Sequence, residues 1–349
     1  MKYITILLLV FFVTTVTAQS NIDYMTSGGK LKPLQANMDI RHYTLSLDVD
    51  IPNESIKGYT EIDLILTKST DTLLFDLVNF LNVTKITSEK KNKTFYRDFD
   101  LIYIVDAAGF KAGRQTIKIE YNGKPPVAVR PPWKGGFSWK KDGAGNPWVI
   151  INCQLEGAKV YFPCKDHPSD EPNEGVDMMI TVPKGLTVAG PGLLQNVTAK
   201  KNKQTFHWKT NYTISNYCVV FNVGKYVVAK RTYTTIDGNK VPMEFYVLEE
   251  DKAVAEKILD MLEKYFGEYP WAKEKIGIAQ VPNPGMEHQT MITYGDGENR
   301  ARFVTTKVGT WDYSGNLFHE FGHEWFANKV TNKDWAHMWI QEGIDVYSE

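Results

Sequence analysis

Between residues 37 and 233 apolar and polar side chains alternate in short runs. Leu45, Leu47 and Val49 are interleaved with Ser46, Asp48 and Asp50, the period-two pattern of a strand that buries one face. The same pattern predicts strands at 43–51, 56–66, 72–77, 115–121, 148–154, 178–182, 205–209 and 217–228. Clusters of proline, glycine and asparagine at 123–126, 143–147 and 168–175 supply the backbone angles and missing N–H groups that end strands. An antiparallel β domain over 19–235 is therefore expected. After residue 250 the period changes. Val254, Ile258, Met261, Leu262 and Tyr265 fall on one face of a helix over 253–266. A strand at 276–281, an apolar segment at 291–294 and helices at about 314–328 and 336–349 follow, so that 236–349 reads as the start of an α+β domain.

Composition narrows the class. A chain of 349 residues with 43% hydrophobic content can bury the cores of two domains. Its 40 Lys and Arg balance 41 Asp and Glu, so the basic surface that nucleic acid requires is missing and nucleic-acid partners are excluded. Residues 1–18 carry Lys2, an apolar run over 4–13 and Val16-Thr17-Ala18 before Gln19, the pattern of a secretory signal peptide. That run is short of the ~20 residues a membrane helix needs. The expectation is export with cleavage to the periplasm, cell surface or medium, with no stable membrane span afterwards. Cys153, Cys164 and Cys218 are odd in number and are expected as buried free thiols. The sequons at Asn53, Asn82, Asn92, Asn196 and Asn211 matter only in a host that glycosylates exported proteins.

The chemistry concentrates near the end. In His319-Glu320-Phe321-Gly322-His323 the two histidines are four apart and project from one helix face, while Glu320 flanks them. A hydrolytic zinc site takes three protein ligands and leaves one position for water. Glu342 is placed to be the third ligand, because 330–334 breaks the first helix and 336–349 can form a second that returns against it. His319, His323 and Glu342 are thus the expected ligands of one Zn2+ per chain, and Glu320 the general base.

These residues, with Trp325-Phe326-Ala327-Asn328, Trp335, Trp339 and Glu342-Gly343, resemble the aminopeptidase N family of gluzincin zinc metallopeptidases. Pro284-Gly285-Met286-Glu287-His288 looks like that family's exopeptidase motif. Gln154-Leu155-Glu156-Gly157 and Phe162-Pro163-Cys164-Lys165-Asp166 resemble its N-domain segment at the substrate's amino terminus. The resemblance implies a thermolysin-like fold for the catalytic part. It also implies removal of N-terminal residues from peptides with a free α-amine. Glu287, with Gln154 and Glu156, would recognise that amine, and Gly285, Met286 and His288 would line the same place. Glu349, two turns beyond Glu342, would orient His319, whereas Glu324 and Asp345 read as structural.

Two departures qualify this reading. His288 stands where the motif has asparagine, adding a group that charges near pH 6.5. Only seven residues follow Glu342, so the transition-state tyrosine that the resemblance implies is not in the chain. Tyr294 and Tyr347 are the nearest tyrosines and neither matches its place. The chain is accordingly expected to be a fragment with weak or no activity alone. A non-catalytic peptide-binding or scaffold protein with a vestigial zinc site is the alternative, and a generic zinc endopeptidase is the third reading. The preferred N-terminal residue and the oligomeric state are not encoded in any motif.

Overall fold

The alternation around Leu45 becomes the strand Met38–Asp50, with Leu45, Leu47 and Val49 buried. The computed structural model describes residues 27–248, 263–264, 266–295, 306–308, 311–313 and 315–348. The expected signal peptide, almost all of the helix predicted at 253–266, and Glu349 lie outside them. Met38–Asp50 is an interior strand of an eight-stranded sheet. The order across it is Leu193–Lys200, Lys203–Thr210, Val176–Pro183, Met38–Asp50, Ser55–Leu66, Gly113–Gly123, Leu81–Ser88 and Lys91–Asn92. All neighbours are antiparallel except Met38–Asp50 and Val176–Pro183, which run parallel. A long excursion of chain separates these two strands, so no hairpin dictates their relative direction.

Two smaller sheets contribute to the same core. One contains Thr70–Asp76, Leu101–Phe110 and Thr94–Asp98, and the other Thr187–Ala189, Asn222–Gly224, Pro147–Asn152 and Gly136–Lys141. Leu64, Phe75, Ile104, Trp148 and Phe221 belong to one continuous apolar cluster. The strand expected at 217–228 is different in the structure. Asn216–Cys218 forms a tight turn, followed by the strands Asn222–Gly224 and Val227–Thr234. Periodicity does not separate a buried strand from other buried backbone in a short apolar run. All three cysteines are buried and unpaired.

Val227–Thr234 begins a five-stranded sheet that continues with Lys240–Val247, Ile276–Gln280, Ile292–Tyr294 and Gly285–Met286. This sheet therefore crosses the 235/236 boundary read from the sequence pattern. Its middle pairings are parallel, and Gly285–Met286 closes one edge antiparallel to Ile292–Tyr294. The helix Gly315–Gly322 buries Leu317, Phe318 and Phe321 in a second cluster with Ile276, Ile278 and Ile292. Positions three, four and seven of that helix thus face the sheet, which leaves the face bearing His319 and His323 for the site. Among the described residues no helix is long and apolar enough to cross a membrane.

The parallel pair is held at one point by charge. On Val176–Pro183, Asp177 contacts His42 Nε2 at 3.1 Å, His207 Nε2 from the opposite neighbour, and Lys209 Nζ at 3.4 Å. Burial opposes ionisation, but the hydrogen bonds from His42 and His207 and the Lys209 charge win, and Asp177 is held well below its ordinary 3.8. A carboxylate depressed in the folded state stabilises the fold above its unfolded pKa and loses that contribution as pH falls through the folded one. Asp177→Asn should therefore lower stability at pH 7 and flatten its decline below pH ~4, where the unfolded carboxylate titrates. Urea midpoints measured from pH 7 to pH 2 check this, and parallel curves for both proteins would refute it.

Candidate zinc centre and amine-recognition site

The sequence predicts one helix over 314–328, but regular turns end at Gly322. Beyond it the hydrogen bonds lengthen to i→i+5, from Asn328 N to His323 O and Val330 N to Trp325 O, both 3.0 Å. Phe326 and Ala327 leave helical angles altogether. Wide turns of this kind recur at functional sites. Here the kink brings the Phe326 carbonyl back to within 3.0 Å of His323 Nδ1, so that Nδ1–H donates to it and Nε2 keeps its lone pair. Asp334 then caps the next turn by accepting from Ala336 N at 2.8 Å, and the helix Trp339–Ser348 follows.

His319, His323 and Glu342 converge as the spacing predicts. The two Nε2 atoms are 3.1 Å apart, and Glu342 Oε2 is 3.7 Å from each. A point equidistant from the corners of that triangle lies about 2.0 Å from all three, the distance at which zinc takes nitrogen and oxygen ligands. The donor set therefore fits one ion. Asp345 also adjoins the cluster, but its Oδ2 lies 2.8 Å from His319 Nδ1 and 3.8 Å from His323 Nε2. It addresses the ring nitrogen of His319 that the triangle does not use, which is how a carboxylate fixes the tautomer of a ligating histidine. Glu349, for which an orienting role is expected, lies outside the described residues; among the described ones Asp345, three positions after Glu342, stands beside that nitrogen. Gly322 makes room for it, since a Cβ there would lie 1.8 Å from Asp345 Oδ1.

Glu320 is buried beside the edge strand. A side chain at Gly285 would come within 2.9 Å of Glu320 Oε1, and Gly285 adopts φ +141°, a conformation and a closeness that together demand glycine. Burial first, then the negative charge of Glu287, push Glu320 well above its ordinary 4.5. Glu287 and Met286 are buried on the same loop. Glu287 Oε1 accepts from Gln154 Nε2 at 2.5 Å and from the Tyr217 hydroxyl at 2.9 Å. Glu156 is buried two residues from Gln154, and a Cβ on Gly135 would meet its Oε2 at 2.9 Å. His288 corrects an expectation. It is fully buried, neither ring nitrogen has a partner among the described residues, and burial lowers it to about 3. It therefore contributes no charge near neutral pH.

Tyr217 escaped the sequence reading, because it belongs to an apolar run with no motif to mark it. Glu324, read from the sequence as structural, is buried and accepts from Tyr269 Oη at 3.1 Å, Trp271 Nε1 at 2.7 Å, Thr290 N at 3.0 Å and Asn328 Nδ2 at 3.0 Å. These bonds tie the segment after His323 to the Glu287 loop. Tyr294 is buried in the sheet and Tyr347 is exposed.

The chain resembles known proteins in sequence and in fold. Residues 40–218 match the peptidase M1 N-terminal domain and residues 251–349 the peptidase family M1 domain. Leukotriene A-4 hydrolase of Xenopus laevis is 28% identical over 329 residues, covering 89% of this chain and 51% of that protein. The probable aminopeptidase 2 of Sulfurisphaera tokodaii is 26% identical over 321 residues, covering 89% and 38%. The chain thus spans about half or less of the length of these relatives. The M1 zinc metallopeptidase of Deinococcus radiodurans shares the fold at TM-score 0.73 and 22% identity, covering 92% of this chain and 70% of that one. A mutant of that metallopeptidase bound to a Tyr-Ser-Ala substrate aligns at TM-score 0.72 and 21% identity, covering 89% and 70%.

Asp345→Ala is expected to weaken zinc binding by about 10–100-fold, the usual cost of losing a histidine's carboxylate partner. Gly322→Ala should act in the same direction by displacing Asp345. Competition against a chromophoric chelator measures both, and wild-type affinity in Asp345→Ala would remove the orienting role.

Proposed function

Because the chain belongs to the M1 family of peptidases, whose cofactor is zinc, we propose that it carries the metal centre and amine-recognition site of an exported zinc aminopeptidase. The substrates are peptides with a free N-terminus, in keeping with the tripeptide bound to the Deinococcus radiodurans mutant. Export rests on the signal-peptide pattern of residues 1–18.

One observation carries the exopeptidase reading. Glu287 is buried just beyond Gly285, whose backbone lies against the Glu320 carboxylate, and after burial, the main cause, its charge helps to raise Glu320 and Glu342. A second negative group beside the place of hydrolysis suits a substrate that brings a positive charge there. The α-ammonium of an N-terminal residue is such a charge, separated from the first peptide carbonyl by a single carbon. An internal peptide bond offers nothing to offset Glu287, and its binding would leave that carboxylate desolvated and unpaired.

His319, His323 and Glu342 would hold the ion, which when bound lowers the pKa of water toward neutrality and polarises the scissile carbonyl. Glu320 accepts the proton that the attacking water gives up and delivers it to the departing amine nitrogen. Asp345 and the Phe326 carbonyl keep both imidazoles in the tautomer that turns Nε2 toward the ion. Glu287, with Gln154 bonded to it, anchors the substrate's amino end, and Glu156 adds negative charge on the N-domain side.

In the protein expressed from its full gene, Glu320→Gln should lower kcat on aminoacyl p-nitroanilides by about 100-fold or more, as loss of a general base does, with zinc retained. Chelation should abolish turnover and added zinc should restore it. Acetylating the substrate's amine should do the same damage as chelation. Equal rates on acetylated and free substrates would sink the exopeptidase reading, and peptide binding without any turnover would favour a non-catalytic one.

A further inference from the structure

We propose that the turn Asn216–Cys218 of the N-terminal β domain belongs to the amine-recognition apparatus, with Tyr217 as the positioning residue that aims the carboxylate of Glu287. The inference rests on Glu287 being the group that meets the substrate's ammonium, and it assigns the aiming of that group to a segment no motif marks.

The turn reaches the Glu287 loop in three places. Tyr217 donates its hydroxyl to Glu287 Oε1 at 2.9 Å. Next to it, Cys218 Sγ donates to Asn328 Oδ1 at 3.3 Å, and Asn328 Nδ2 donates to the Glu287 backbone carbonyl at 2.7 Å. Just before the turn, the Thr213 carbonyl accepts from Gln289 Nε2 at 3.2 Å. The side chain and carbonyl of Glu287, and Gln289 two residues on, are therefore all tied to residues 213–218 of the other domain.

The distribution of donors on Glu287 gives the arrangement its function. Gln154 Nε2 and the Tyr217 hydroxyl both bond Oε1. With Oε1 held from two sides the carboxyl group is oriented, and Oε2 would be the oxygen that meets an incoming cation. Tyr217 is suited to a permanent donor role. Burial above all, then the neighbouring Cys218 and Glu287, push its hydroxyl well above the ordinary tyrosine range, so it keeps its proton. Its ring is fixed in turn, meeting Trp335 edge-on with centroids 5.6 Å apart, and Trp335 precedes the helix that carries Glu342. The aim of Glu287 is thereby referenced to the same segment that positions the third metal ligand.

Tyr217→Phe removes the hydroxyl and keeps the ring against Trp335. On L-alanine p-nitroanilide the zinc-loaded protein from the full gene should show KM raised about tenfold, a charged hydrogen bond's worth, with kcat changed less than about twofold. Zinc content should be unchanged. In a Glu287→Gln background the same substitution should shift KM by less than about twofold, because residues acting through one group are not additive. Cys218→Ala, which loosens the second tie, should raise KM in the same background-dependent way. Effects of equal size in both backgrounds, or no effect of either variant, would overturn the assignment. The desamino substrate propionyl p-nitroanilide separates the two levels. If wild-type protein cleaves it as well as the alanine compound, the amine-recognition reading itself fails and this inference with it. If wild type prefers the amine and Tyr217→Phe keeps that preference undiminished, only the role of Tyr217 fails.

Discussion

Two imidazole nitrogens 3.1 Å apart, each 3.7 Å from a carboxylate oxygen, form a cluster of donors that a cation between them would satisfy at once. Much of the second part of the chain serves that convergence. The helix Gly315–Gly322 buries Leu317, Phe318 and Phe321 on the five-stranded sheet, which fixes its rotation about its own axis. The kink after His323 returns a carbonyl to Nδ1. The helix Trp339–Ser348 supplies both Glu342 and Asp345, so one rigid element brings two carboxylates to the paired histidines. Holding donors rigidly before the ion arrives reduces the ordering cost of binding, the general advantage of a supported site.

The candidate metal centre would not by itself distinguish one hydrolase from another. The groups proposed to do so gather where the two domains meet. Glu287 comes from a loop of the catalytic part, yet two of its hydrogen-bond donors, Gln154 and Tyr217, come from the β domain. The apolar cluster of the β domain extends to Ala279, Val281 and Met291 of the catalytic part, so the two are joined by core as well as by polar contacts. Buried polar networks that are well satisfied fix a unique geometry. The network around Glu324 and Asn328 does this for the Glu287 loop, linking it to the turn that follows His323.

Glycine at two positions shows how closely the site is built. At Gly322 an added methyl would overlap Asp345, and at Gly285 it would press on Glu320 while the backbone sits at φ +141°. Both glycines lie inside recognisable motifs, but a motif states only that glycine is there. The reason is a neighbour distant in sequence: Asp345 for Gly322, and Glu320 for Gly285.

The convergence of His319, His323 and Glu342 and the strand alternation around Leu45, Leu47 and Val49 were legible from the sequence, because each rests on a local periodicity that the backbone converts directly into a shared face. The resemblance carried Glu287 and Gln154, which the structure brings into contact. Local pattern gave no sign of Tyr217 in an apolar run, of Asp345 as the partner of His319, or of the neutral, enclosed state of His288. Nor did it give the parallel pairing of Met38–Asp50 with Val176–Pro183. Each of these depends on segments far apart in the chain, and the environment of a titratable or hydrogen-bonding group is set by what encloses it. Sequence by itself determined which atoms could bind a metal and accept a proton. Tertiary structure alone decided which second groups orient and charge them, because desolvation and hydrogen-bond partnership exist only once distant segments have come together.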